Sequence, residues 1–283
     1  MSLNSVNTNM GAMVALQSLE STQQQLTATQ KQISTGYRVA DSTDDGAAYA
    51  IAQGVRSTVG ALTTANQQLG SVQGLLSTTQ SGLNNISNMM GSMRDTLLQL
   101  SSPSVTASQR TNYETSYQSM LAQVKGFVQD AGYSGKTLIG DITGSTGTYG
   151  RTAVVRNDSG ATYGLATFSG SAMFGSISFT STQLGGATTV AALITTTGAF
   201  LNKMNAVNNA LNTVGNSINY VNNETTYNNN KIDALNNGLG SLIDADLAKE
   251  SAQLTALQIR QQLGTQALSM ANQAPQTLLS LFK

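Results

Sequence analysis

Few side chains in this sequence could do chemistry. Asp41, Asp44 and Asp45 cluster within a short stretch, and grouped carboxylates can hold a cation or exchange a proton. The spacing favours a plainer role. Ser42 followed three residues later by Asp45 resembles a capping box, and aspartates suit the positive end of a helix. Gly135-Lys136-Thr137 has the ending of a phosphate-binding loop, but that motif needs a glycine where Asp130 stands and a strand where the period is helical. The chain has no Cys, His or Trp. Disulfides, thiolate metal sites and the commonest metal ligand and general base are therefore excluded, as is a zinc peptidase motif, which needs two histidines. Carboxylate, Lys, Tyr or Ser chemistry remains, and none is arranged for catalysis. No catalytic residue, cofactor or metal site is expected, and the chain reads as a non-enzyme.

The stretch that organises the sequence has no chemistry at all. From Ala48 to Leu100, the positions Ala48, Ile51, Val55, Thr58, Leu62, Ala65, Leu69, Val72, Leu76, Thr79, Leu83, Ile86, Met90, Met93, Leu97 and Leu100 alternate steps of three and four. Such spacing gives one narrow apolar seam on a helix that winds against partner helices. At 1.5 Å per residue the helix is roughly 80 Å long. The partner lies at the other end of the chain, where Met204, Val207, Leu211, Val214, Ile218, Val221, Thr225, Asn228, Ile232, Leu235, Leu239 and Leu242 keep the same alternation. Its two polar positions, Thr225 and Asn228, set register at some cost in stability.

The remaining elements flank these two. Residues 1–34 read as a helix with a weaker seam through Leu16, Leu19, Leu26 and Ile33, with Gln23 and Gln30 between them. Gly36 suits a left-handed helix end. After a loop at Ser101–Ser104 a further helix carries Tyr113, Tyr117, Met120, Val124 and Phe127 and folds back as a helical hairpin. Between Asp141 and Leu184 the pattern turns to strands: a hairpin around Asn157–Gly160, and an alternating stretch Phe174–Thr180. Near Gly238 and Gly240 the C-terminal seam slips by one, to Ile243, Leu247, Leu254, Leu257 and Leu268, so a joint is expected there. The fold class is mainly α: long antiparallel coiled-coil rods, paired N- and C-terminal helices, and a small β-hairpin insert. Expected boundaries are 1–40 and 240–283 for the terminal helical domain, 41–139 and 186–239 for the rod, and 140–185 for the β element. The terminal seams are thin and their contacts distant in sequence, so the ends are expected to stay disordered in the free monomer.

Formal net charge is zero and only 10% of residues are charged, against 40% hydrophobic. Soluble domains carry about 25% charge. A weakly charged surface suits packing against copies of the same chain. No basic stripe marks a nucleic-acid partner. The N-terminus lacks the basic and apolar regions of a Sec signal, and no run is long enough to span a membrane.

The segment from Gln32 to Ala52, with Ser34-Thr35-Gly36-Tyr37-Arg38 followed by Asp44-Asp45, resembles the N-terminal signature of bacterial flagellins. Ile243–Glu250 and Ala271–Phe282 resemble the family's C-terminal signature, and Tyr133–Leu138 its turn after the second helix. Thr35, Tyr37-Arg38-Val39 and the small middle depart from the common pattern. The resemblance implies a secreted subunit of the bacterial flagellum, exported unfolded and polymerised at the filament tip for swimming motility. Its partners would be copies of itself, other flagellins, the export apparatus, an export chaperone, and cap and junction proteins. Family members build an inner tube from the terminal helices. That assigns subunit packing to Leu16, Leu19, Leu26, Ile33, Leu247, Leu254, Leu257, Leu268, Leu278, Leu281 and Phe282, and the joint and helix cap to Gly36, Arg38, Asp41, Asp44 and Asp45.

In many flagellins a Toll-like immune receptor grips the first long helix. The matching residues are Arg94 and Asp95. Gly91, Ser92 and Thr96 replace larger neighbours, so weak receptor binding is expected. Two alternatives stay open: a hook–filament junction protein, which shares the terminal helices, and a surface adhesin presented by the β insert.

Overall fold

The computed structural model describes residues 8–281, with side chains for 8–273. Leu278, Leu281 and Phe282, expected to pack subunits together, lie outside the described side chains. The chain divides into two compact units, residues 58–232 and residues 1–57 with 233–283.

The unit of residues 58–232 is built on α2 (Gly46–Leu100), α3 (Ala107–Asp130) and α7 (Ala199–Ile243). From Leu62 to Leu100 every position of the heptad series in α2 is buried, Thr79 included. Thr79 satisfies its hydroxyl within the helix by donating to the Leu75 carbonyl at 2.7 Å, so a polar residue costs the seam little. α3 buries Tyr117, Leu121, Val124 and Val128. Tyr117 donates to the Ile177 carbonyl at 2.7 Å, and burial pushes its phenol well above the ordinary range. Arg110 closes the hairpin between α2 and α3 by donating to the carbonyls of Leu100 and Leu184.

The polar layer of α7 is built as a network. Asn228 is fully buried and donates to Asn66 Oδ1 at 3.0 Å and to the Arg156 carbonyl at 2.8 Å. Its own Oδ1 has no hydrogen-bond partner among the described residues. Arg156 and Asp158 belong to a β-hairpin of β4 (Ala153–Val155) and β5 (Thr162–Gly164), paired in antiparallel register Ala153↔Gly164. The hairpin is tied to α7 by Lys231–Asp158 at 2.8 Å and by a Tyr163–Tyr220 ring stack. This is the expected hairpin, turning at Asn157–Gly160 with Gly160 at φ 77°.

β1 (Gly132–Tyr133), β2 (Lys136–Thr137) and β3 (Thr148–Tyr149) make a second small sheet, antiparallel then parallel. Ser134 and Gly135 both have positive φ, which makes Ser134-Gly135 a two-residue hairpin turn. Lys136 is therefore a strand residue and not the lysine of a phosphate loop.

Phe174–Thr180 corrects the sequence reading, because this stretch is not a strand. α4 (Gly170–Ile177) runs through it, capped by Ser169, whose Oγ accepts from Ala172 N. Two alternating residues gave too little period to set against a cap and a 3-4 row of Gly170, Met173 and Ile177. Two short helices, α5 (Ser181–Leu184) and α6 (Ala187–Leu193), complete the unit.

The other unit pairs α1 (Met10–Thr35) with α8 (Leu247–Leu281). A small core of Val39, Ala48, Ala52 and Ile243 lies beside the joint. Ile51, placed in the seam from its spacing, is 58% exposed. Ala48 of the series is buried as expected, Ala52 takes the inward place of Ile51, and their small side chains let Val39 and Ile243 pack close. α7 passes unbroken through Gly238 and Gly240, and the helix ends only at Ile243. The joint therefore falls at Asp244–Asp246.

Candidate assembly surface

Leu19, Leu26 and Ile33 define one row on α1, and a heptad seam can take its second row from either side. The sequence offered Leu16, Gln23 and Gln30. The structure uses Ala12, Ala15, Thr22 and Thr29, of which Thr29 is buried and the others half-buried. Short side chains here cost less to bury than two glutamines. Leu16 consequently faces outward, 46% exposed.

On α8 the facing seam is Glu250, Leu254, Leu257, Gln261, Gly264, Leu268 and Ala271. Leu257 is buried, whereas Leu247 at the helix start is exposed. A Cβ on Gly264 would stand 3.2 Å from Leu19 Cδ1, so the glycine sets how closely the helices approach. Two polar straps fix the antiparallel register: Gln261 donates to Gln23 at 2.7 Å, and Asn9 donates to the Ala271 carbonyl at 2.7 Å. Asn9 also caps α1, accepting from Ala12 N. Periodicity placed Gln23 in the seam without showing its partner, and Asn9 carries no apolar signal to single it out.

The joint between the chain ends is wired mostly by backbone. Gly36 ends α1 at φ 74°. Its carbonyl accepts from Ala245 N, and Ile243 O accepts from Arg38 N and Val39 N. Tyr37 and Asp244 form an antiparallel bridge, and the Arg38 guanidinium donates to the Leu242 carbonyl. The three aspartates part company. Asp45 caps α2, accepting from Ala47 N and Ala48 N, so the cap is Asp45 itself and not Ser42. Asp41 and Asp44 close on Lys31 at 2.7 and 2.8 Å, a partner the sequence did not reveal because it sits ten or more positions upstream.

Hydrogen bonds from Lys31 hold the Asp41 and Asp44 carboxyls below their ordinary value of 3.8, and those to the two aspartates raise Lys31 above 10.5. The depressed carboxylates stabilise the joint at pH above about 4 and lose that contribution as pH falls through their folded values. The raised lysine contributes below about 10.5 and is lost as pH climbs past its folded value. Acid is thus expected to open the joint first, seen as faster amide exchange at Val39 and Ala245 below pH about 4. In Lys31→Gln that acid step should flatten. An unchanged profile in the variant would mean that the Lys31–Asp41–Asp44 triad does not hold the joint.

Away from the seam, both terminal helices carry a second apolar side. On α1, Met10, Met13, Val14 and Leu16 are 59%, 62%, 62% and 46% exposed. On α8 a second 3-4 series, Ala252, Ala256, Ile259, Leu263, Gln266 and Met270, is exposed along its length. At about 100° per residue this series lies nearly opposite the intramolecular seam. Soluble monomers seldom expose such strips unless something covers them. Arg94 and Asp95, in the other unit, stand exposed on α2 and form no ion pair among the described residues.

Paired chain ends, each helix with one face inward and one unpartnered apolar face, define a self-assembling helical subunit. Residues 6–143 match the bacterial flagellin N-terminal helical region, and residues 197–282 match the C-terminal helical region. Flagellin FljM of Caulobacter vibrioides is 32% identical over 283 residues, spanning all of both chains. A flagellin of Brucella melitensis is 31% identical over 293 residues, covering 99% of each. A protein described as flagellar hook-associated, from Vibrio parahaemolyticus, shares the fold at 15% identity, with a TM-score of 0.59 over 71% of this chain and all of its own. The chain belongs to the bacterial flagellin family. It is a structural subunit that self-assembles into the extracellular flagellar filament, and no helix among the described residues is long and apolar enough to cross a membrane.

Proposed function

We propose that the subunit joins the filament through the outward faces of α1 and α8. The observation that carries this reading is the exposed 3-4 series on α8, from Ala252 to Met270, which has the period of a coiled-coil seam and no partner among the described residues. The inward seam supplies only a thin core, with Leu26, Thr29 and Leu257 alone buried among residues 8–35 and 247–273. Neighbouring subunits add the rest, and the terminal helices gain most of their stability on joining.

The chain travels to the tip unfolded, using the export apparatus and its chaperone, and then docks beneath the cap. With no cysteine, no disulfide can lock it before threading. It has no catalytic role; its work is the assembly itself. The test is whether polymerisation covers Met13 and Leu263, read as loss of thiol reactivity at cysteines placed there. For the Arg94–Asp95 face the reading is weak recognition by a Toll-like receptor, because Gly91 and Ser92 leave little side chain to grip. A receptor reporter assay beside a strong agonist flagellin checks it, and equal potency would contradict it.

A further inference from the structure

Away from the joint, where α1 carries Lys31 and α8 carries Lys249 and Glu250, the terminal helices are nearly devoid of charge. Between residues 1 and 30 the chain has one charged side chain, Glu20, and between 251 and 282 it has one, Arg260. The two are opposite in sign and both are exposed. Neither takes part in an ion pair among the described residues. Each also falls in a row of the outward face of its helix. Met13, Leu16 and Glu20 follow a 3-4 step on α1, and Ala256, Arg260, Leu263, Ala267 and Met270 do so on α8; all eight are exposed.

We infer that Glu20 of one subunit pairs with Arg260 of a neighbouring copy, and that this pair sets which faces meet and in what axial register. The inference rests on the assembly reading above and adds the residues that give it specificity. The apolar strips alone would not choose: α1 against α1, α8 against α8 and α1 against α8 all bury Leu, Met and Ile. Charge decides between them. Like faces would oppose Glu20 to Glu20 or Arg260 to Arg260, and like charges brought together on a desolvating surface are strongly unfavourable. Unlike faces bring acid to base, and a guanidinium offers a carboxylate a planar two-pronged contact.

The same choice has a structural consequence. A contact between two different faces is heterologous, so each added subunit presents a fresh face to the next, and a rotation that does not close yields an open helical filament. An isologous contact of like faces would end at a dimer. Beyond the turn of α8 that holds Lys249, the two strips carry a single opposite pair, which also penalises axial slip. A shift by one heptad preserves apolar contact but leaves both charges against apolar side chains.

The test is a charge swap in the full chain. Glu20→Lys, Arg260→Glu and the double variant are compared with the unaltered chain by the critical concentration for seeded polymerisation, read by pelleting. At low ionic strength each single reversal should raise the critical concentration roughly tenfold or more, and the double swap should return it close to the original value. Added salt should shrink the difference. A double swap that polymerises no better than the single variants would overturn the pairing, as would single variants that polymerise normally at low salt. Restoration by the double swap cannot come from a folding defect. The underlying reading fails separately: if Leu263→Asp also polymerises normally, the outward faces are not the contact, and the pairing falls with them.

Discussion

Leu263→Asp is expected to abolish filament elongation while leaving the free subunit's melt within about 0.5 kcal/mol of the original. The two effects separate because of where Leu263 stands. It is 59% exposed, on the side of α8 opposite the seam with α1, so the isolated subunit loses almost no burial. In the assembly proposed above, the same side chain is covered by a neighbour. A leucine so buried contributes about 1.5–3 kcal/mol, and an unpaired carboxylate in its place carries a further desolvation cost of several kcal/mol. That loss recurs at every subunit, so no single favourable contact can offset it. Seeded elongation followed by light scattering, beside circular dichroism melts of the unpolymerised variant, checks both halves. Normal elongation would take α8's outer face out of the assembly. A melt lowered by several kcal/mol would place Leu263 in the subunit's own fold.

The second large effect concerns two residues that look equivalent in the sequence. Leu97 and Ile51 are both members of one unbroken heptad series, yet Leu97 is fully buried and Ile51 is 58% exposed. Leu97→Ala removes methyl groups from a packed helical core and should cost about 2–5 kcal/mol, the range for a leucine that leaves a cavity. Ile51→Ala should fall within about 0.5 kcal/mol. Urea denaturation of the free subunit measures the two side by side. Equal costs would mean that the heptad series is buried along its whole length and that the packing of Val39 and Ile243 on Ala48 and Ala52 is not as described.

That contrast shows where sequence reading works and where it stops. Periodicity located α2 and α7 and named nearly every buried residue of α2 beyond Leu62, because a long seam repeats one rule many times and each step confirms the last. It failed where the rule had few repeats or two solutions. On α1 the row Leu19–Leu26–Ile33 belongs equally to a seam with Leu16 and Gln23 and to one with Ala15 and Thr22. Counting apolar residues favours the first, while the cost of burying glutamine selects the second. At Ile51 the local packing of small alanines overrides the heptad. Around Ile177 and Phe179 two alternating residues suggested a strand, and the Ser169 cap made a helix.

The joint was legible only in part. Gly36 and the aspartates announced a helix end and a helix start, but Lys31 lies a full turn and a bend away, and nothing in a linear reading pairs it with Asp41. The outward face of α8 was invisible for a different reason. Its 3-4 series overlaps in sequence with the inward seam, and only the position of α1 shows which of the two is covered. On the proposed reading that uncovered face is where neighbouring copies pack, a role made of contacts that one copy cannot make.

Assembly through the outer faces of α1 and α8 can be tested directly because the chain has no cysteine. Single cysteines at Met13 and at Leu263, one per chain, would be labelled with a maleimide before and after seeded polymerisation, with a cysteine at Ser104, in the exposed loop between α2 and α3, as the reference for general slowing. Fast labelling is expected at both positions in free subunits and near-complete protection in filaments, with the reference slowed far less. Filaments that form normally while Met13→Cys and Leu263→Cys label as fast as in the free subunit would contradict assembly through these two faces.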